Sequence, residues 1–163
     1  MIDIRTFEPG DWPALWRLLE PVFRAGETYA FARDIDEAEA HARWVEAPTE
    51  TWIAFDASRE LVATYYIKPN QPGPGDHVCN CGYIVAEAAR GRGIAGTLCE
   101  HSLDAGRRLG FRAMQYNLVV ATNEGALRLW KKHGFHVAGT LPGAFRHPRE
   151  GYVDAHIMYR ALD

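Results

Sequence analysis

The chain has 163 residues, 18 basic and 21 acidic side chains, a formal net charge of -3 at pH 7 and 47% apolar residues. This length fits one domain over residues 1–163 that buries its core without disulfides or metals. The near-balanced charge argues against nucleic acid as the main partner. We see no leader peptide and no apolar run long enough to span a membrane, so we expect a cytoplasmic protein without membrane contact.

The cysteines Cys79, Cys81 and Cys99 form neither a CxxC pair nor a zinc-ligand pattern, and the histidines show no metal spacing. We therefore predict three buried, reduced thiols and no metal site. An odd and unpatterned cysteine count is typical of a reducing compartment.

Apolar periodicity predicts the elements of the first half of the chain. A strand over residues 2–7 precedes a helix that Asp11 caps. Asp34 or Asp36 caps a second helix, which ends at Pro48. Further strands follow over residues 51–55, 61–67 and 78–85. In the second helix the expected inward residues are Ala38, Ala42 and Val45.

The second half alternates helices and strands. A long helix opens within residues 91–96 and ends at Gly110, with a buried stripe that includes Leu98 and Ala105. Asn123 caps a further helix that ends at Gly134. Strands are predicted over residues 111–120, 135–140 and 152–159. In the first of these, one face carries Met114, Tyr116, Leu118 and Val120, and the other carries Gln115 and Asn117. This order predicts an α/β (α+β) domain with a mixed sheet.

The segment Arg90-Gly-Arg-Gly-Ile-Ala-Gly-Thr97 follows a strand and opens a helix. Helix starts expose unpaired N–H groups, and glycines let phosphate oxygens approach the main chain. Arg90 and Arg92 add positive charge, so the turn predicts a pyrophosphate site. A plain connecting turn is the bland alternative. Dinucleotide binding is a weaker one, because no acidic residue follows near the end of the next strand.

This turn resembles the GNAT acetyltransferase signature, Gln/Arg-x-x-Gly-x-Gly/Ala. Residues 123–135, with Asn123, Ala126 and Gly134-Phe135, resemble a second element of that family. The resemblance implies a GNAT fold, with about seven strands flanked by four helices and a splay between strands 4 and 5. It also implies an acetyl-CoA-dependent N-acetyltransferase and, from family habit, a homodimer.

The resemblance also implies roles for cofactor-binding residues. The backbone of Ile84 and Val85 would hold the pantetheine arm, and a free N–H near Val85 would stabilise the charged acetyl oxygen. Asn123 would reach the thioester region. The family usually has a Tyr at the position of Trp130, so we expect Trp130 to pack against the cofactor arm. The other expected cofactor contacts are Arg90, Gly91, Arg92, Gly93, Ile94, Ala95, Gly96 and Thr97.

A narrower resemblance is to fungal N-acetyltransferases that act on azetidine-2-carboxylate, a proline analogue. It is carried by Asn80, Asn117-Leu118, Asn123 and the Gly-Tyr-Val-Asp tail at 151–154. It implies that Asn80 and Asn117 serve the acceptor amino acid and that Asn123 is needed for catalysis. The alternative is that Asn80 and Asn117 are polar residues on a solvated strand face.

Acetyl transfer needs a neutral amine and therefore a proton acceptor, because free amines have pKa values of about 8 to 10. Glu27 is the first candidate base, with Tyr29 and Leu118 among the expected acceptor contacts, and His77 is the second. The alternative for both candidate bases is that they are exposed loop residues without a catalytic role. A small-molecule amine is the expected acceptor. A protein or peptide N-acetyltransferase and a non-catalytic acyl-CoA-binding module are the competing functions.

Overall fold

The computed structural model describes all 163 residues, and seven strands form one sheet. The strands are β1 Asp3–Thr6, β2 Glu50–Phe55, β3 Leu61–Pro69, β4 Val78–Val85, β5 Ala113–Val120, β6 His136–His147 and β7 Gly151–Ala161. Their order in the sheet is β1-β2-β3-β4-β5-β7-β6. All neighbouring strands are antiparallel except β4 and β5, which are parallel. The predicted mixed sheet with four helices is confirmed. The helices are α1 Trp12–Ala25, α2 Glu37–His41, α3 Ile94–Arg108 and α4 Glu124–Lys132.

Helices cover both faces of the sheet. On one face α1 and α2 bury an apolar cluster that includes Leu19, Phe23 and Trp44. On the other face α3 and α4 cover a larger cluster that includes Leu98 and Met114. Because successive strand residues point to opposite faces, β2, β3 and β4 each contribute to both clusters. The three cysteines are free and buried, as predicted. None of the four helices combines the length and apolarity needed to cross a bilayer.

The predicted splay between β4 and β5 is present. The two strands pair only at Val78 with Ala113 and at Cys79 with Met114, and then diverge. One residue further, the Asn80 side chain bridges them, with Nδ2 donating to the Gln115 carbonyl at 2.9 Å. Beyond this bridge the facing backbone groups of both strands have no partner strand. We call this opening the strand gap.

Strand alternation decides which residues of β4 face the strand gap. The Ala86 N–H donates to the Val62 carbonyl at 2.8 Å, so this pair is hydrogen-bonded toward β3. Alternate residues of an antiparallel strand direct their backbone groups to opposite sides. The backbone of Ile84 therefore points toward β3, while the backbone groups of Tyr83 and Val85 point into the strand gap.

The predicted inward face of the second helix is confirmed only for Val45, which packs against the cluster that contains Trp44. Ala40 and Trp44 are buried, whereas Ala38 is exposed. The chain widens into a π turn over Ala42–Glu46, where the Ala47 N–H donates to the Ala42 carbonyl at 2.8 Å. The wider turn shifts the face that residues after Ala42 present, which a regular 3.6-residue period does not predict. Ala38 precedes this turn and is exposed because it lies on the side of the helix opposite to Ala40.

Two of the three predicted caps are confirmed. Asp36 accepts from the Glu39 N–H at 2.8 Å, and Asn123 accepts from the Ala126 N–H at 3.2 Å. Asp11 lies at the predicted N-cap position of α1, but its side chain makes no capping hydrogen bond to that helix. Its carboxylate instead binds the Arg5 guanidinium through two 2.8 Å hydrogen bonds and accepts from the Glu8 N–H.

Bulges correct two further predictions. The β5–β7 register shifts between Tyr116 and Val119, so Val119 joins the cluster that contains Met114, and Leu118 does not. Strand β6 runs to His147 rather than ending at residue 140. A register shift between Leu141 and Phe145 lets it pass Pro142 and Gly143, which a sequence rule reads as strand breakers.

Candidate active site

The turn before α3 presents a row of unpaired backbone donors. The first backbone bond of the helix is from the Thr97 N–H to the Gly93 carbonyl at 3.2 Å. The six preceding N–H groups, from Gly91 to Gly96, have no hydrogen-bond partner. Gly91 and Gly93 have φ values of 75° and 77°, which favour glycine. A Cβ at either position would meet nothing within 4 Å, so the turn is open to a ligand. Together with the helix dipole, these donors suit a diphosphate.

The two arginines of this turn differ in their surroundings. Arg92 Nη1 lies 3.6 Å from Asp56 Oδ2 in the β2–β3 turn, while Arg90 is exposed and makes no ion pair. Asp56 also accepts from the backbone N–H groups of Ser58 and Glu60, which holds the carboxylate in place. The positive charge of Arg90 is therefore free for an anion, and that of Arg92 is partly balanced.

Not every residue of the predicted turn has its side chain at the site. Ile94 is buried in the core with only its backbone at the turn. At Gly96 a Cβ would lie 3.3 Å from His133 Nε2 and 3.7 Å from Leu129 Cδ1. Gly96 therefore also allows α3 and α4 to approach closely, a packing role that the glycine pattern alone does not indicate.

An aromatic cluster lines the α3–α4 side of the strand gap. The ring of Trp130 lies 5.0 Å from that of Tyr83 on β4 and 4.8 Å from that of Tyr116 on β5. The Tyr83 hydroxyl lies 2.6 Å from Ser102 Oγ and 2.9 Å from the Tyr116 hydroxyl. Burial raises the pKa of both phenols well above the usual value, so both are neutral at physiological pH.

On the opposite side, the loop between α1 and α2 contacts the strand gap. The Tyr29 hydroxyl donates to the Tyr83 carbonyl at 2.8 Å, and burial raises the pKa of that phenol. Two residues earlier, the Glu27 carboxylate forms an ion pair with Arg149 from the turn between β6 and β7. The loop is thereby attached both to β4 and to the β6–β7 hairpin.

The predicted acceptor asparagines belong to one polar chain on this same face. Asn80 is only 7% exposed, which rules out a solvated face for it, and its Oδ1 accepts from the Tyr66 hydroxyl at 3.3 Å. Asn117 is exposed. Its Oδ1 accepts from Gln115 Nε2 at 3.0 Å and its Nδ2 donates to Asn70 Oδ1 at 2.7 Å. Leu118 is half-buried at the β5 bulge.

The remaining predicted residues lie in different places. Asn123 is half-buried after β5, and because its Oδ1 caps α4, only Nδ2 is free to bind a ligand. His77 is exposed before β4, at the end of the strand opposite to Val85. The structure thus does not bring His77 to the strand gap.

Sequence reasoning missed several residues of the site. Tyr83 lies between Gly82 and Ile84 on β4, and strand alternation applied to the predicted site would have found it. Arg149, Asp56 and Ser102 offer no such signal. Their contacts join parts of the chain that are far apart in sequence, as in the Glu27–Arg149 pair with a separation of 122 residues.

The chain matches a family model described as acetyltransferase (GNAT) family over residues 12–135. N-acetyltransferase aca1 of Schizosaccharomyces pombe is 40% identical over 112 residues, which cover 68% of this chain and 54% of that protein. This chain therefore corresponds to about half the length of that relative. A fungal N-acetyltransferase is among the relatives, as the narrower resemblance predicts.

Solved structures with the same fold were also found. A GCN5-related N-acetyltransferase from Kribbella flavida superposes with a TM-score of 0.93 at 41% identity, covering 98% of this chain and 97% of that one. A phosphinothricin acetyltransferase from Sinorhizobium meliloti, in complex with AcCoA, gives a TM-score of 0.87 at 18% identity, covering 99% and 88%. At that lower identity the similarity is one of fold. The expected fold is confirmed.

Proposed function

Because the chain belongs to the GNAT acetyltransferase family, whose cofactor is acetyl-CoA, we propose that it transfers the acetyl group to the amine of a small molecule. The acceptor class we propose is a free amino acid or a proline analogue. The observation that carries the proposal is the row of six unpaired N–H groups beside an open strand gap. The domain would extend over residues 1–163.

The cofactor would lie along the strand gap, with its pyrophosphate at the turn before α3. The N–H groups from Gly91 to Gly96 and the free charge of Arg90 would hold the phosphates. The carbonyl of Val85, which points into the strand gap, would accept a hydrogen bond from a pantetheine amide. We assign Ile84 to packing, since its backbone points toward β3. The Asn123 Nδ2, the free end of that amide, would donate toward the thioester region.

The reaction we propose is direct attack. The amine nitrogen forms a bond to the acetyl carbon, the carbon–sulfur bond breaks with its electron pair leaving on sulfur, and the surplus amine proton passes to a base or water. The N–H of Val85 would stabilise the charge on the acetyl oxygen. Glu27 is the candidate base, reached directly or through water, and Arg149 would hold its carboxylate in position.

A small acceptor is favoured by the loop between α1 and α2. Tyr29 attaches this loop to β4, and Glu27 attaches it to the β6–β7 hairpin. Both contacts would hold the loop over the face of the strand gap where a peptide would otherwise lie. Asn117, Leu118 and Tyr29 would contact the acceptor there. Asn80 would keep its hydrogen bonds to Gln115 and Tyr66 in the free protein. It would contact the acceptor by replacing one of these hydrogen bonds with one to the acceptor.

A thiol-release assay with acetyl-CoA tests the proposal. We expect turnover with amino acids such as proline or azetidine-2-carboxylate and none with peptides. Turnover with peptides or proteins alone would favour the peptide N-acetyltransferase. Binding of acetyl-CoA without turnover on any amine would favour a non-catalytic acyl-CoA-binding module.

A variant pair separates acceptor from cofactor binding. We expect Asn117→Ala to raise the acceptor KM or lower kcat about tenfold and to leave acetyl-CoA affinity unchanged. Gln71→Ala, which removes an exposed amide outside the site, is the matched control. An equal loss of acetyl-CoA affinity in Asn117→Ala would refute the assignment.

Two further expectations belong to the proposal. Three free and buried thiols suit a reducing compartment, which supports a cytoplasmic location. A homodimer stays a prediction, and size-exclusion chromatography with light scattering would test it.

A further inference from the structure

The indole N–H of Trp130 has no hydrogen-bond partner, which is unusual for a buried residue. The Trp130 side chain is 9% exposed. The other buried tryptophan, Trp44, donates to Thr64 Oγ1 at 3.2 Å. No sealed side-chain nitrogen or oxygen in the chain lacks a partner. Nε1 of Trp130 must therefore face space that solvent, or a ligand, can reach.

Trp130 lies where a ligand in the strand gap would pass. Its ring contacts Tyr83 on one diverging strand and Tyr116 on the other. It follows Asn123 by two turns of α4, and Asn123 begins that helix at the end of β5. The Trp130 ring, with its unpaired indole N–H, therefore lies beside the strand gap.

The neighbouring hydroxyl groups cannot donate to a ligand in the strand gap without breaking a hydrogen bond that they already make. Ser102 Oγ donates to the Cys99 carbonyl at 2.7 Å, so it accepts from the Tyr83 hydroxyl at 2.6 Å. The Tyr83 oxygen in turn accepts from the Tyr116 hydroxyl at 2.9 Å. All three hydroxyl hydrogens are engaged. The Trp130 N–H is the one free side-chain donor of this cluster.

We propose, on the basis of the function proposed above, that the Trp130 N–H donates a hydrogen bond to the thioester sulfur and stabilises it as a leaving thiolate. The carbon–sulfur bond breaks with its electron pair on sulfur, while the amine proton goes to the base or water, so no proton comes from residue 130. Indole donates a hydrogen bond but is not a usable acid. The protein would therefore release a hydrogen-bonded thiolate rather than protonate it.

Ligand binding tests this without turnover. The wild type should bind CoA increasingly better than desulfo-CoA as the pH rises from 7 to 9, through the range in which a thiol of pKa about 8.5 ionises. Trp130→Phe keeps an aromatic ring and removes the donor. We expect it to lose about tenfold in CoA affinity at pH 9 and to bind desulfo-CoA within about twofold of wild type. Trp16→Phe, which removes the other unpaired indole N–H, is the control.

Kinetics give an independent readout. Trp130→Phe should lower kcat with little change in acetyl-CoA KM. Trp130→Tyr should restore kcat, and its profile of kcat against pH should show an additional limb at high pH, where the phenol ionises. A Trp130→Phe variant that binds CoA like the wild type at pH 9 would overturn the inference. Equal losses for CoA and desulfo-CoA would overturn it too, because they indicate packing alone. If neither ligand binds the wild type, the proposed function itself fails.

Discussion

Gly93→Ala is the most direct test of the phosphate-binding turn. Gly93 has a φ of 77°, and a Cβ there would meet nothing within 4 Å. The cost of the substitution is thus backbone strain without a clash, about 1–2 kcal/mol for an L-residue in the left-handed region. For a domain of this size that corresponds to a melting temperature lower by roughly 2–8 °C.

The same strain should change ligand binding. If the turn relaxes toward negative φ, the adjoining N–H groups rotate away from the position of a phosphate. Losing one hydrogen bond to a charged group costs about 1.5–3 kcal/mol, which is roughly a ten- to hundredfold loss of CoA affinity. Isothermal titration calorimetry would measure this loss directly.

Gly110→Ala is a closely matched control at the other end of the same helix. Gly110 has a φ of 85° and also has open space at the Cβ position. Both variants should lose similar stability in thermal melts, and only Gly93→Ala should lose CoA affinity. Equal CoA affinities in the two variants would refute the reasoning that the turn's backbone holds the phosphates.

Three further predictions concern other parts of the molecule. A Cβ at Gly82 would lie 2.6 Å from Tyr66 Cε1, so Gly82→Ala should lose about 1–3 kcal/mol in urea unfolding, whereas Gly10→Ala, with open space, should not. Burial lowers the pKa of His101, so the folded state prefers the neutral ring. The protein should therefore lose stability as the pH falls below about 6.5. His101→Asn should reduce the difference in melting temperature between about pH 7 and about pH 5. Asn123→Asp keeps the oxygen that caps α4 and removes Nδ2, so its melting temperature should stay unchanged while kcat falls about tenfold, and an unchanged kcat would exclude a role for that donor.

Local chemistry made much of the fold predictable. Asp36 and Asn123 cap helices because a short polar side chain can accept from the first turn, and glycines at positive φ end or begin α3. Such signals involve residues a few positions apart. The turn at residues 90–97 could be located for the same reason.

Features that depend on register or on distant contacts could not be predicted. A one-residue bulge in β5 exchanges the faces of Leu118 and Val119, and no composition signal marks it. The π turn over Ala42–Glu46, which contains Trp44, likewise changes the face that the residues after α2 present. The pairing of Glu27 with Arg149, and of Arg92 with Asp56, follows from the tertiary fold alone.

The short parallel pairing of β4 with β5 leaves the sheet in two parts along a seam of two residue pairs and one asparagine side chain. A ligand with its own amide groups would supply the rungs that this ladder lacks. Ligand binding should then join the two parts of the sheet. It should slow the solvent exchange of amide protons on either side of the seam more than that of amide protons in the outer strands. The ligand would act as a temporary eighth strand of the protein's architecture.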